Sequence, residues 1–88
     1  MQLLLKPSDY KYSDMIRIKF KEVLAEKEFQ EKRSITLGEV AEATGIHRVT
    51  LSKIANDHSY KPGLDLIDRL LGYFKCDLND LLVYIPEE

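Results

Sequence analysis

A chain of 88 residues is the size of one domain, able to bury roughly two-thirds of its unfolded surface without disulfides or metal. Its 44% hydrophobic and 32% charged residues fit a globular rather than a disordered protein, and the single cysteine, Cys76, excludes an intrachain disulfide framework. The net charge of −2 argues weakly against a polyanionic partner, but the charge is uneven: residues 46–61 set Arg48, Lys53 and Lys61 against Asp57 alone, whereas residues 62–88 set six acids against Arg69 and Lys75.

The amino-terminal run MQLLLKP is broken by Lys6 and Pro7 before it reaches the length of a signal-peptide core, and no segment approaches the ~20 apolar residues of a membrane helix. The expectation is a cytoplasmic protein with no membrane association. Residues 1–14 read as an arm, with turn and cap chemistry at Lys6-Pro7-Ser8-Asp9 and Ser13-Asp14 and an isolated Leu3-Leu4-Leu5 triplet. That triplet covers part of the core, reaches a second subunit, or stays disordered. Residues 15–88 read as the folded domain. Ile16, Ile18 and Phe20 alternate with Arg17 and Lys19, which predicts an extended lead-in to about Ile18. A helix then runs from Lys19 or Phe20 to about Gln30, with Val23, Leu24 and Phe29 as its apolar side and a loop at Arg33-Ser34.

Residues 36–56 carry the clearest pattern. Leu37, Val40, Ala41 and Thr44 recur at helical spacing, and Thr36 with Glu39 has the spacing of a capping box. Gly45 ends this helix, because a C′ residue in the left-handed region favours glycine. Ile46 lies in the turn, and a second helix starts near His47 or Arg48 with Leu51, Ile54 and Ala55 as its buried side. Two short helices about a glycine turn describe either a helix-turn-helix or a plain helical hairpin. The outward face of the second helix holds Arg48, Val49, Ser52, Lys53 and Asn56, donors and an apolar contact without an acid.

The segment from Asn56 to Gly63 is dense in loop formers. Leu64, Ile67, Leu70, Leu71 and Phe74 then mark a helix with Gly63 as its N-cap, and Gly72 within it suggests close packing. Asp77 caps a final short helix, Leu78 to Leu82, whose leucines close the core. Val83-Tyr84-Ile85 alternates again and can pair with Ile16 to Ile18 as a two-stranded ribbon packed on the helices. Cys76, among Leu71, Phe74 and Leu78, reads as a small apolar side chain.

The order and spacing of these elements resemble the Cro/cI-type (XRE-like) helix-turn-helix family, in particular its minimal stand-alone regulators. Glu39-Val40-Ala41, Thr44-Gly45-Ile46, Thr50-Leu51-Ser52-Lys53-Ile54 and Asn56 carry the likeness, which spans about residues 15–85. It implies an all-α, five-helix lambda-repressor-like fold and a sequence-specific double-stranded DNA-binding transcriptional regulator, a repressor acting as a homodimer. The helix around 48–56 would enter the major groove, with Arg48, Val49, Ser52 and Lys53 at base edges and His47, Thr50, Asn56, His58 and Lys61 at phosphates. Thr50 and Ser52 have helix-surface filler as their alternative, and His58 and Lys61 an ordinary solvated loop. One of Arg17, Lys19 and Lys21 is a further backbone contact.

Two positions depart from the family's pattern. Leu37 stands where a Gln often supports a phosphate contact, and His47 replaces the usual Ser or Thr cap. Leu37 and the low net charge favour the competing reading, a protein-interaction module of the same fold such as an antitoxin or adaptor subunit with a toxin or other regulator as partner. Leu3 to Leu5 and Val83 to Ile85 are the surfaces expected to dimerise. His47 and His58 lack the spacing of a metal site, and neither a phosphate-cradling loop nor a nucleophile motif is present, so no cofactor, metal or enzyme activity is expected.

Overall fold

The computed structural model describes residues 14–86, so the expectations for Leu3–Leu5, for the turn at Lys6-Pro7-Ser8-Asp9 and for Ser13 lie outside the described residues. Along the chain the elements are β1 (Asp14–Ile18), α1 (Phe20–Glu31), α2 (Leu37–Thr44), α3 (Arg48–Asn56), α4 (Leu64–Phe74), α5 (Leu78–Leu81) and β2 (Leu82–Pro86).

The two strands pair antiparallel as a ribbon, with Ile16 opposite Tyr84, Arg17 opposite Val83 and Ile18 opposite Leu82. Such a ribbon is marginal in water unless it packs on something else. Its base is anchored. Ile18 and Leu82 rest against the core, and the Lys19 N–H donates to the Leu81 carbonyl at 2.6 Å.

Every helix contributes fully or nearly fully buried side chains to one core: Phe20 from α1, Val40 from α2, Leu51 and Ile54 from α3, Ile67 and Leu70 from α4, and Leu81 from α5. Phe20 meets Phe74 edge to face with ring centroids 5.7 Å apart, the favourable geometry for two aromatic quadrupoles. Between α1 and α2 the Glu28 carboxylate accepts from the Ile35 N–H at 2.8 Å, which fixes the loop that buries Ile35.

Four expectations need correction. Phe29 is 78% exposed, because at about 100° per residue it lies half a turn round α1 from the buried Phe20. Leu64 shares the stripe of Ile67 and Leu71 but is 82% exposed in the first turn of α4, beyond the cover that buries the rest of the stripe. Gly72 faces open space, since a Cβ built there meets nothing within 4 Å, and close packing does not account for it. Of the leucines expected to close the core, Leu81 is buried and Leu82 half-buried, while Leu78 is exposed.

Candidate nucleic-acid interface

The turn between α2 and α3 is held from both sides. Gly45 adopts φ 77° and its N–H donates to the Ala41 carbonyl at 2.8 Å, closing α2. The Thr44 hydroxyl donates to the Val40 carbonyl at 2.7 Å and accepts from the Ile46 N–H at 3.2 Å, so Thr44 serves the turn as much as the apolar face. Ile46 is buried beneath it. From α4, Arg69 extends Nη1 to within 3.5 Å of the Gly45 carbonyl, a long-range latch that local sequence patterns do not reveal.

At the other end of α2, the Thr36 hydroxyl accepts from the Glu39 N–H at 3.1 Å, which is half of the expected capping box. The other half is replaced. The Glu39 carboxylate instead binds Arg33 through two nitrogens, at 2.9 and 2.5 Å, and Arg33 also pairs with Glu31. The Arg33 guanidinium holds the Glu39 carboxyl below the usual glutamate range. A bidentate guanidinium–carboxylate pair outcompetes the weaker reach back to a backbone N–H.

α3 begins from His47, whose backbone is extended (φ −60°, ψ 142°) as an N-cap requires, yet whose side chain makes no capping bond. No acid lies in the first turn of α3, so its amino-terminal N–H groups and the positive end of its dipole have no side-chain complement within the helix. Leu51 and Ile54 fix the rotation of the helix by burying against the core. At about 100° per residue, Arg48, Ser52, Asn56, Val49 and Lys53 then share an arc of about 140° on the opposite side. Arg48, Val49, Lys53 and Asn56 are exposed on that arc and Ser52 is half-buried. Thr50 lies outside it, half-buried on the flank towards Ile54.

The polar groups on this face differ in how free they are. The Asn56 amide donates to the Ser52 carbonyl at 3.1 Å and lies 3.5 Å from its hydroxyl, which ties these two together. The Lys53 ammonium sits 5.7 Å from the centre of the Tyr60 ring, at the outer range of a cation–π contact. Tyr60 is thus a neighbour of the site that sequence reading missed. His58 and Lys61 are exposed in the loop after α3, where His58 joins Arg17 and Lys21 around an open groove of about 610 Å³. Two acids, Glu22 and Asp57, line the same groove: Glu22 pairs with Arg17, while Asp57 accepts from both the Ser59 hydroxyl (2.7 Å) and the Ser59 N–H (3.0 Å), and those bonds hold its carboxyl below the usual aspartate range.

Ion pairing lies off the exposed arc of α3. Among the described residues the pairs are Arg17–Glu22, Lys27–Glu31, Arg33–Glu31 and Arg33–Glu39, all on or beside α1 and the start of α2. Arg48, Lys53 and Lys61 take part in none of them. Cys76 is half-buried, and burial pushes its thiol up, aided by Asp80 and Asp77, the reverse of an activated nucleophile. Among the described residues no group of three or more His, Cys, Asp or Glu is arranged to hold a metal ion.

A glycine-turned helical pair, latched by a fourth helix and presenting an acid-free basic face on its second helix, defines a helix-turn-helix domain. The chain belongs to the Cro/C1-type HTH DNA-binding domain family, whose model matches residues 19–87. Its fold is similar to that in the crystal structure of the transcriptional regulator VanUg, form II, with a TM-score of 0.65 and 18% identity over 99% of each chain. Among curated protein sequences none matches. The family is one of DNA-binding domains, and double-stranded DNA is accordingly the partner class of this chain.

Proposed function

We propose that this protein is a sequence-specific transcriptional regulator, a repressor that inserts α3 into the DNA major groove as a cytoplasmic homodimer. The observation that carries this reading is the exposed arc of α3, where Arg48 and Lys53 take part in no ion pair among the described residues, on the face opposite the buried Leu51 and Ile54. Cations left unpaired in a chain of net charge −2 are available to a polyanion.

In this reading Arg48, at the first position of α3, reads a base edge. A bidentate guanidinium contact to guanine O6 and N7 discriminates by about 1–3 kcal/mol. Val49, 69% exposed, meets a thymine methyl, an apolar contact that accounts for a solvated valine on this face. Lys53 swings from Tyr60 to a base or phosphate one turn on, and Ser52 reaches a base once Asn56 releases it. His47, Thr50, Asn56, His58 and Lys61 set the register through phosphates. The VanUg likeness is in keeping with a regulator. A homodimer on a palindromic site supplies the affinity that one small module lacks.

A second reading, a protein-interaction module such as an antitoxin or adaptor subunit, is favoured by Leu37. That side chain packs against the core at the start of α2 instead of offering a polar anchor to a phosphate. Mobility shift on random-sequence duplexes, followed by selection of the bound fraction, separates the two. DNA binding with a salt dependence of several phosphates and an enriched motif is the expected result. No retardation even at low salt would refute the regulator and leave the interaction module.

A further inference from the structure

The chain turns sharply after α3, and hydrogen bonds at Asp57 fix that turn. The Asp57 N–H donates to the Lys53 carbonyl at 2.8 Å, closing the helix, and the Asp57 carbonyl accepts from the Tyr60 N–H at 3.1 Å. The Asp57 carboxylate, bonded to both the N–H and the hydroxyl of Ser59, stiffens the turn from within. Tyr60 is thereby returned towards α3, half-buried against the core, with its ring centre 5.7 Å from the Lys53 ammonium. Packing already holds the ring, so meeting Lys53 orders Tyr60 no further.

The two cations of the α3 arc differ in this respect. Among the described residues Arg48 takes part in no ion pair or ring contact, whereas Lys53 has the Tyr60 ring. Lys27 offers a contrast away from the arc: its ammonium lies 4.8 Å from the centre of the Tyr73 ring and also pairs with Glu31. Lys53 has one weak restraint where Lys27 has two. A cation over an aromatic ring at an exposed site is worth about two- to five-fold in an equilibrium. That is enough to bias where the ammonium sits, and less than a good base contact supplies.

We propose that Tyr60 tempers DNA affinity by holding Lys53 on its ring in the free protein, a restraint that binding must break. The inference rests on the proposed function and adds to it a positioning residue that acts through Lys53 without touching DNA. The direction of the effect separates it from other roles for the ring. A ring that only filled space beside α3 would weaken binding when removed, through a looser turn. A ring that presented the lysine to DNA would weaken binding as well. Only a ring that competes with DNA for the ammonium lets its own removal strengthen the complex.

The test is equilibrium binding of the full chain to the selected duplex, followed by fluorescence anisotropy at one salt concentration. Tyr60→Leu, which keeps apolar packing and removes the ring, should bind about two- to five-fold more tightly than the wild type. Tyr60→Phe, which keeps the ring, should restore the wild-type value. In a Lys53→Met background the gain from Tyr60→Leu should vanish, because no ammonium is left to release. A second measurement needs no variant and decides the matter if Tyr60→Leu loses its native far-UV circular dichroism. In the free wild type the ring current should move the Lys53 Cε proton resonances upfield, and saturating duplex should abolish that shift. Equal or weaker binding by natively folded Tyr60→Leu would overturn the inference. So would a gain that persists without Lys53, a Tyr60→Phe variant that behaves as Tyr60→Leu, or an upfield shift that is missing from the free protein or survives in the complex. A wild-type chain that binds no duplex refutes the proposed function itself and takes the inference with it, whereas binding without the coupling refutes the inference alone.

Discussion

His47 is a vacant cap, and filling it should separate stability from DNA binding. Its backbone already has the extended dihedrals of an N-cap, its side chain is exposed, and it makes no bond to the first turn of α3. Replacement by Ser or Asp therefore needs no backbone movement and sacrifices no buried contact. Either oxygen accepts from an N–H at the start of α3, a gain of about 1 kcal/mol. Asp adds a further ~0.3–1 kcal/mol by facing the positive end of the helix dipole, in a first turn that holds no other acid. For a domain of this size, about 1 kcal/mol raises Tm by roughly 4–8 °C. Thermal and urea denaturation should therefore rank His47→Asp at or above His47→Ser and both above the wild type, with unchanged m-values. Binding to a selected duplex should run the other way. The Asp carboxylate faces the phosphate assigned to His47 and weakens binding, while Ser keeps a neutral donor there. A Tm equal to or below that of the wild type in both variants would refute the vacant cap, and tighter DNA binding by His47→Asp would refute the phosphate contact.

Gly72→Ala should stabilise the protein by up to about 1 kcal/mol, because a methyl there meets open space in the last turns of α4 and removes the entropic cost of a helical glycine; a lower urea midpoint would show that the glycine serves a contact. Glu39→Gln should destabilise at neutral pH and not at strongly acidic pH. Arg33 lowers the native pKa of Glu39, so the stability gained from the charged form is complete above the unfolded value of about 4.5 and is lost as the pH falls through the lowered native value. The gap between wild-type and variant urea midpoints should therefore close on acidification, and added salt should narrow it because the pair is exposed. A gap that persists at low pH would assign the role of Glu39 to something other than its pair with Arg33.

Periodicity and turn chemistry made the helical pair legible. Val40 recurs with Leu37 and Ala41 on α2, and Leu51 with Ile54 on α3, at helical spacing, and Gly45 holds the positive φ expected of it. The ribbon was legible as a possibility from the alternation at Ile16–Ile18 and again at Val83–Ile85, although Ile16, Phe20, Val23 and Leu24 also fall at helical spacing; pairing of the two segments decides for the strand. Periodicity fixes which side chains share a stripe but not how far the stripe is covered, which is why Leu64 was expected inside. Phe29 was misplaced by hydrophobicity overriding angle. Arg69 and Tyr60 escaped notice because their contacts to Gly45 and Lys53 depend on how α4 and the preceding loop fold back, a tertiary fact with no local signature. The Glu39 carboxylate was misassigned for the same kind of reason: the competing Arg33 lies six residues away, outside the capping-box pattern.

The most direct test of α3 as the reading element is the affinity of Arg48→Ala for the selected duplex and for its single-base variants. The account predicts that wild-type discrimination of about 1–3 kcal/mol, roughly five- to 150-fold, disappears at one base pair while preferences at the others remain. An equal loss of affinity on every sequence would contradict it, reducing Arg48 to a phosphate contact and removing the base reader on which the proposal depends.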